Sequence, residues 1–388
     1  MGARAALRTE VPRHGEHPPR VAPGSERMTI TDARSPDAQS EVARTGRTPA
    51  PLTGYRAHLD GLRTVAVYMV VVFHCGVGRA EGGFIGVDIF FVLSGYLVTQ
   101  VLLRDLHHSG GIRFGRFYSR RFRRLLPAAF VALVGTALAF TAVATPAEVA
   151  DTLGSFKAAF LYVANWHFIA ESSDYFADDV SGNPVLHFWS LAVEEQFYLV
   201  WPLLLAGVVA VSRRLGHLHW HVVRIIVGSL ALASLVGAMA LRVDDANRAY
   251  YGSDTRAYQL LAGALLAMMP GLVGRSARLG RWAAAVVSAT SLGGVLVIAT
   301  PMVGFDPVER GLATTVLTLV LIISLEVPTG GATKTILSTG PVVYLGKISY
   351  GTYLWHWPVI VIVSRLVNLS HFQMVIATVL LGTALAAL

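Results

Sequence analysis

Residues 82–124 read GGFIGVDIFFVLSGYLVTQVLLRDLHHSGGIRFGRFYSRRFRR. The first half is an apolar run of about 20 residues, long enough as a helix to cross a hydrocarbon core of about 30 Å. The second half carries seven arginines, which places it on the cytoplasmic side by the positive-inside rule. An apolar span with a marked side recurs in composition along the chain. Of the 388 residues 54% are hydrophobic and 14% charged, where a soluble domain carries about 25% charged residues. Mean hydropathy is +0.54. A soluble globular enzyme, a fibrous protein and a wholly disordered chain are excluded. The expected fold class is all-α, a polytopic transmembrane helical bundle.

Working outward, apolar segments fall near 62–78, 84–103, 127–145, 152–170, 186–211, 222–241, 257–270, 282–300, 311–326, 343–363 and 372–388. Segment 152–170 carries Lys157, Asn165 and His167, a poor membrane core. If it spans, the clusters Arg213/Arg214/Arg224 and Arg275/Arg278/Arg281 fall outside. If it is interfacial or re-entrant, both fall inside and ESSDYFADD stays outside. The second arrangement is expected, with about ten crossings and both termini cytoplasmic. The short segment 257–270 needs a thinned bilayer or extension by preceding residues. Residues 1–55 are rich in Pro, Arg, Ser and Gly without apolar periodicity, and are expected to be a disordered cytoplasmic tail. Met28 within it is an alternative start. The net charge of +8 sits in loops, where topology and anionic headgroups account for it without nucleic acid. The lone Cys75 permits no disulfide framework, and no metal-ligand pattern, Walker loop or dinucleotide fingerprint is present.

Ionisable residues within apolar segments are costly and mark candidate functional sites. In HLDGLRTVAVYMVVVFHCG, Arg63 and His74 are eleven residues apart, close to three turns, and share a face about 16 Å apart along the axis. That suits an anion-binding mouth at Arg63 with a general base halfway across at His74. A histidine satisfied by a neighbouring carbonyl is the plainer reading. Cys75 reads as a packed thiol, and Ser94 beside Gly95 as helix packing. Asp88 either orients an acceptor hydroxyl or pairs with a cation in the bundle. Glu194 and Glu195 project about 100° apart, so they do not face one cavity equally. His187, seven residues before Glu194, lies two turns away on nearly the same face. Arg120, Arg121, Arg123 and Arg124, interleaved with aromatics, fit either phosphate gripping or an anchor to acidic lipids, and composition alone favours the anchor. His356 between Trp355 and Trp357, with Tyr350 and Tyr353 nearby, fits an interfacial belt or a carbohydrate-stacking wall.

Together these stretches resemble the acyltransferase family 3 membrane proteins, which include envelope-polysaccharide O-acetylases and macrolide O-acyltransferases. The matching text is Arg63-x10-His74, GFIGVDIFFVLSGYLVT, FYSRRFRRLLPA, HFWSLAVEEQFYLVWPLLL, TRAYQLLAGALLA and GKISYGTYLWHWPVI, in that order over about 55–388. The resemblance implies a transmembrane acyltransferase domain over 56–388 in the plasma membrane. It would move an acyl group from cytoplasmic acyl-CoA, a co-substrate with no bound cofactor or metal, to a sugar-bearing acceptor. His74 then looks like the catalytic histidine and Arg63 its partner at the donor site. Arg120/Arg123 and Arg121/Arg124 both fit the family's Arg-x-x-Arg pattern and become CoA-phosphate contacts. Glu194 and Glu195 match the family's acidic pair, while Asp88, His187, Arg256, Trp355 and His356 are acceptor-binding or structural. Family members usually continue into a Glu-x-Pro tail, whereas this sequence stops at ALAAL. A transporter or flippase for an anionic glycoconjugate is the rival reading, although no paired repeats are visible. A non-catalytic scaffold leaves the intramembrane charges unexplained.

Overall fold

The computed structural model describes residues 54–172, 175, 182–214, 220–276, 280–327 and 331–388. The expected disordered tail (apart from Gly54 and Tyr55), Met28, Arg278 and most of ESSDYFADD lie outside the described residues. The described chain is all-α. Its helices are α1 (Ala57–His74), α2 (Gly86–Ser109), α3 (Phe114–Thr141), α4 (Pro146–Phe160), α5 (Ala164–Ala170) and α6 (Phe188–Arg214). Then come α7 (Trp220–Leu241), α8 (Ala246–Tyr251), α9 (Ser253–Ala267), α10 (Pro270–Ser276) and α11 (Arg281–Ile298). The last five are α12 (Pro307–Leu325), α13 (Ala332–Leu337), α14 (Gly340–Lys347), α15 (Ser349–Leu366) and α16 (His371–Ala387).

Contacts between chain ends define two faces. Arg56 pairs with Glu326 at 3.1 Å, and Arg213 donates to the Gly110 carbonyl at 2.7 Å. These join the start of α1, the end of α12, the end of α2 and the end of α6 on one face, which also carries the arginines of α3. On the opposite face the Gly82 amide donates to Ala299 O and His371 Nδ1 to Cys75 O at 3.0 Å. Among the described residues, eight helices have 18 residues or more, α1, α2, α3, α6, α7, α11, α12 and α15, while α9 and α16 are shorter at 15 and 17. Six helices, among them α2, α3, α6 and α7, are long and apolar enough to cross a membrane on those grounds alone. The chain is a multi-pass membrane protein.

Segment 152–170 breaks, as its polar residues suggested. α4 ends at Phe160, Tyr162 takes φ 55°, and α5 is only seven residues long. The polar side chains hold the break together. Gln196 donates to Tyr162 O (2.8 Å) and Asn165 Oδ1 (3.0 Å), while Asn165 donates to Tyr251 O (3.1 Å). At about 22 Å for its 15 residues, α4 is too short to cross. On this side, Thr145 caps α4 through its hydroxyl. The Thr145 amide and hydroxyl, with Arg365 at 3.0 Å, hold the Glu148 carboxyl below the usual carboxylate range.

The basic stretch after α2 is not the loop that its composition suggested. Gly110, in the left-handed region at φ 68°, ends α2, and α3 begins at Phe114, so Arg116 to Arg124 are helical. With 28 residues, α3 is about 42 Å long. Its first turns therefore project beyond a hydrocarbon core, and Pro127 stands where arginines give way to apolar residues. The short segment 257–270 is extended at its start, α9 beginning at Ser253. Small residues let the central helices touch: a Cβ on Gly95 would strike the Leu260 carbonyl, and one on Gly263 the Val92 carbonyl.

Candidate active site

A cavity of about 490 Å³ opens on the arginine-rich face. Its lining follows α2 from Asp105 to Val87, a rise of about 27 Å. Eight basic side chains line it against four acidic ones: Arg56, Arg63, Arg104, Arg116, Arg120, Arg121, Arg124 and Lys347 against Asp60, Asp105, Glu194 and Glu195. Such a focused positive field attracts polyanions. Arg120, Arg121 and Arg124 project into it from α3, whereas Arg123 turns to Ser119 (2.7 Å) and is absent from the lining. Of the two Arg-x-x-Arg registers, only Arg121/Arg124 has both members on the wall.

Arg63 is not at the mouth. It bonds Asp60 at 3.0 Å, and its charge bears on Arg124, two turns of α3 deeper than Arg116. Both glutamates face the cavity, contrary to the 100° argument, because the cavity is wide enough to wrap that side of α6. Ser94 donates to Glu194, and the Tyr198 hydroxyl, with one proton to give, lies within hydrogen-bond reach of both Glu194 and Ser94 (2.8 Å to the latter). The Arg121 guanidinium lies 3.2 Å above the Tyr198 ring, a cation–π contact. Ser94 is thus part of the cavity wall and not only packing. Tyr198 follows Glu194 by four residues and Asp60 precedes Arg63 by three, so i,i+3/i+4 spacing was the available signal for both.

The inner end of the cavity is closed by Ser190 and Tyr353, whose hydroxyls are 2.6 Å apart. Behind that pair lie three histidines, His187 and His356 buried and His74 half-buried. His74 ends α1. Its Nδ1 is 2.9 Å from His356 Nε2 and its Nε2 is 2.6 Å from the Tyr175 hydroxyl. The Trp357 ring packs on His74 at 4.6 Å between centroids. His187 lies just before α6, not on the Glu194 face of that helix, and its Nε2 donates to Leu354 O at 3.1 Å. Pro358 explains that bond: it lacks the amide that would pair with the carbonyl four residues earlier, and the histidine satisfies it. Arg63 and the glutamates therefore line the cavity, while His74 sits beyond its end with no carboxylate on either ring nitrogen.

The remaining candidates separate. Asp88 and Arg256, 0% and 1% exposed, pair with each other between α2 and α9, and Gln259 adds a bond to Asp88 at 2.9 Å. Phe91, Trp189 and Tyr250 surround the guanidinium, and of this group only Phe91 lines the cavity. Trp355 packs against Gly135 of α3, so the ring facing His74 is that of Trp357. The Cys75 thiol lies 3.7 Å from the Thr378 hydroxyl in the core. Tyr175 stands 101 residues from His74 in an acidic stretch, and nothing in its spacing links the two. No group of three or more metal ligands occurs among the described residues.

Comparison with known proteins follows the same residues. The family model described as an acyltransferase domain matches residues 56–388. The chain is 36% identical to peptidoglycan O-acetyltransferase OatA of Listeria monocytogenes over 82% of this chain and 51% of that protein. It is 36% identical to the putative peptidoglycan O-acetyltransferase YrhL of Bacillus subtilis, over 79% and 49%. To O-acetyltransferase OatA of Staphylococcus aureus it is 32% identical, over 80% and 51%. The chain spans about half the length of these curated relatives. No solved structure matches. The membrane topology, the arginine-lined cavity and the match along 56–388 agree: the chain belongs to acyltransferase family 3.

Proposed function

We propose that the protein is an integral-membrane O-acyltransferase of the plasma membrane. It takes an acyl group, acetyl in the first instance, from acyl-CoA at a cytoplasmic arginine-rich face. It passes the group to a sugar hydroxyl of a cell-envelope glycan at the opposite face. The observation that carries this reading is the arginine-lined cavity whose inner end is the wall of the His74 cluster. CoA is an extended polyanion ending in a thioester, and the cavity offers guanidinium groups at its mouth and a narrow polar end about 27 Å along α2. The relatives' names supply the acceptor class.

In this mechanism Arg120, Arg121 and Arg124 bind phosphates and Arg63 holds the arm nearer the thioester. The Ser190–Tyr353 pair parts to admit the acyl end. An acceptor hydroxyl gives its proton to His74 as its oxygen attacks the thioester carbonyl. The carbonyl–sulfur bond breaks, and the CoA thiolate leaves and takes up a proton. Glu194, held by Ser94 and Tyr198, orients the arm and not His74.

The test is CoA release and acyl transfer from labelled acetyl-CoA by purified protein in detergent, with a muropeptide and a glycosylated macrolide as competing acceptors. The wild type is expected to acylate the glycan. His74→Ala is expected to lose about 10³-fold, the middle of the 10²–10⁴ range of a general base's contribution, with membrane expression intact. A transporter or flippase would release no CoA.

A further inference from the structure

We propose that His356 is a positioning residue for His74: it holds the proton of the His74 ring on Nδ1, so that Nε2 is the basic nitrogen. The proposal deepens the reading of His74 as the base and rests on it.

One chain of hydrogen bonds fixes the proton. The Tyr353 carbonyl only accepts, and His356 Nδ1 is 2.6 Å from it, so that nitrogen carries a proton. His356 is 0% exposed. The groups packed on the His74–His356 pair are Tyr175, His187, Tyr353 and the Trp357 ring. Among the described residues no carboxylate packs on the pair to hold a second proton, and the ring is neutral with its lone pair on Nε2. That lone pair is 2.9 Å from His74 Nδ1, which must donate to it. His74 Nε2 is left as an acceptor, and the Tyr175 hydroxyl donates to it at 2.6 Å. A hydroxyl therefore already occupies the place that an acceptor hydroxyl needs, on the side of His74 away from His356.

His187 does not compete for the role. Its Nε2–H is spent on Leu354 O, its Nδ1 has no partner, and it meets His356 edge-on at 5.4 Å. The arrangement also explains why a histidine stands between two tryptophans. Trp355 packs outward on Gly135 and Trp357 covers His74, which leaves position 356 to make the link.

The experiment uses the full chain in nanodiscs with ¹⁵N-labelled histidine, the His74 signals being identified by their loss in His74→Ala. In the wild type His74 is expected to show a protonated Nδ1 and an unprotonated Nε2. His356→Leu removes the acceptor and is expected to mix the two tautomers. Its kcat is expected to fall on the order of 10²-fold, short of the ~10⁴ that a wrong tautomer costs a serine-protease triad. Its KM for acetyl-CoA should not change, because His356 does not line the cavity. His356→Gln offers an amide oxygen to the same Nδ1–H and is expected to restore the tautomer and most of the rate. A His74 that is protonated on Nε2 in the wild type overturns the proposal, even if His356→Leu fails to fold. So does an unchanged tautomer or an unchanged kcat in His356→Leu. Full transfer by His74→Ala would instead overturn the base assignment, leaving the measured tautomer to stand on its own.

Discussion

Arg121, Arg123 and Arg124 are alike in composition and differ in what their removal should do. Arg121 and Arg124 line the cavity, and Arg123 does not. On the proposed donor site, replacing either of the first two by Ala removes a charge-assisted bond of about 1.5–3 kcal/mol to a phosphate. The KM for acetyl-CoA should rise about 10- to 100-fold at low ionic strength, with less effect in high salt as screening shortens the reach of charge. Arg123→Ala should stay within about twofold, as an exposed side chain bonded only to Ser119. Equal effects at all three positions, measured by CoA release at two salt concentrations, would contradict the register. The sequence showed the arginines as a cluster but not their register, because both pairs satisfy the same spacing. It singled out His74 and His356 separately, yet their contact joins α1 to α15 across 282 residues, a pairing no local pattern encodes. Trp355 was singled out where Trp357 faces the site, since neighbours in a helix differ by about 100° and the sequence does not say which way the pair is turned.

Between elements, close approach decides stability. α2 and α9 meet where Gly95 and Gly263 face carbonyl oxygens of the opposing helix. A methyl group there has no flexible neighbour to displace, so Gly95→Ala should push the helices apart and cost about 1–3 kcal/mol, the usual range for overpacking. Gly207 in α6 has nothing within 4 Å of an added Cβ. Gly207→Ala should be neutral or stabilising by up to about 1 kcal/mol through helix propensity. Thermal unfolding in detergent should separate the two, and equal melting temperatures would refute the packing argument. Apolar runs marked most of these helices, because a spanning helix needs a continuous run. Element ends were less legible. Basic residues after α2 looked like loop, while i→i−4 bonding extends α3 back to Phe114, where arginine is a good helix former. The break at Tyr162 was legible because Asn165 is unsuited to lipid, but not that Gln196 of a distant helix holds it.

For the whole molecule, the end-to-end contacts predict sidedness. In a Cys75→Ser background, Met302→Cys lies between α11 and α12 on the face of Ala299 and is 84% exposed. It should react with an impermeant maleimide in intact cells. Ser109→Cys, at the end of α2 on the arginine-rich face, should react only after permeabilisation. The reverse pattern would invert the proposed orientation and put the arginine mouth on the wrong side for a cytoplasmic donor. The multi-pass helical architecture was readable because hydropathy and helix length act on whole segments. The cavity was not, because it is a void between α1, α2, α3, α6 and α15, and no one of them announces it. Its closed inner end has a consequence for the cell. A water-accessible shaft running about 27 Å along a helix is nearly a membrane's thickness, and left open it would short-circuit the ion gradient across the bilayer. On the proposed reading, the hydroxyl contact of Ser190 with Tyr353, backed by the His356 ring, is an electrical seal, so that a carrier molecule from one compartment is emptied without the two compartments ever sharing their water.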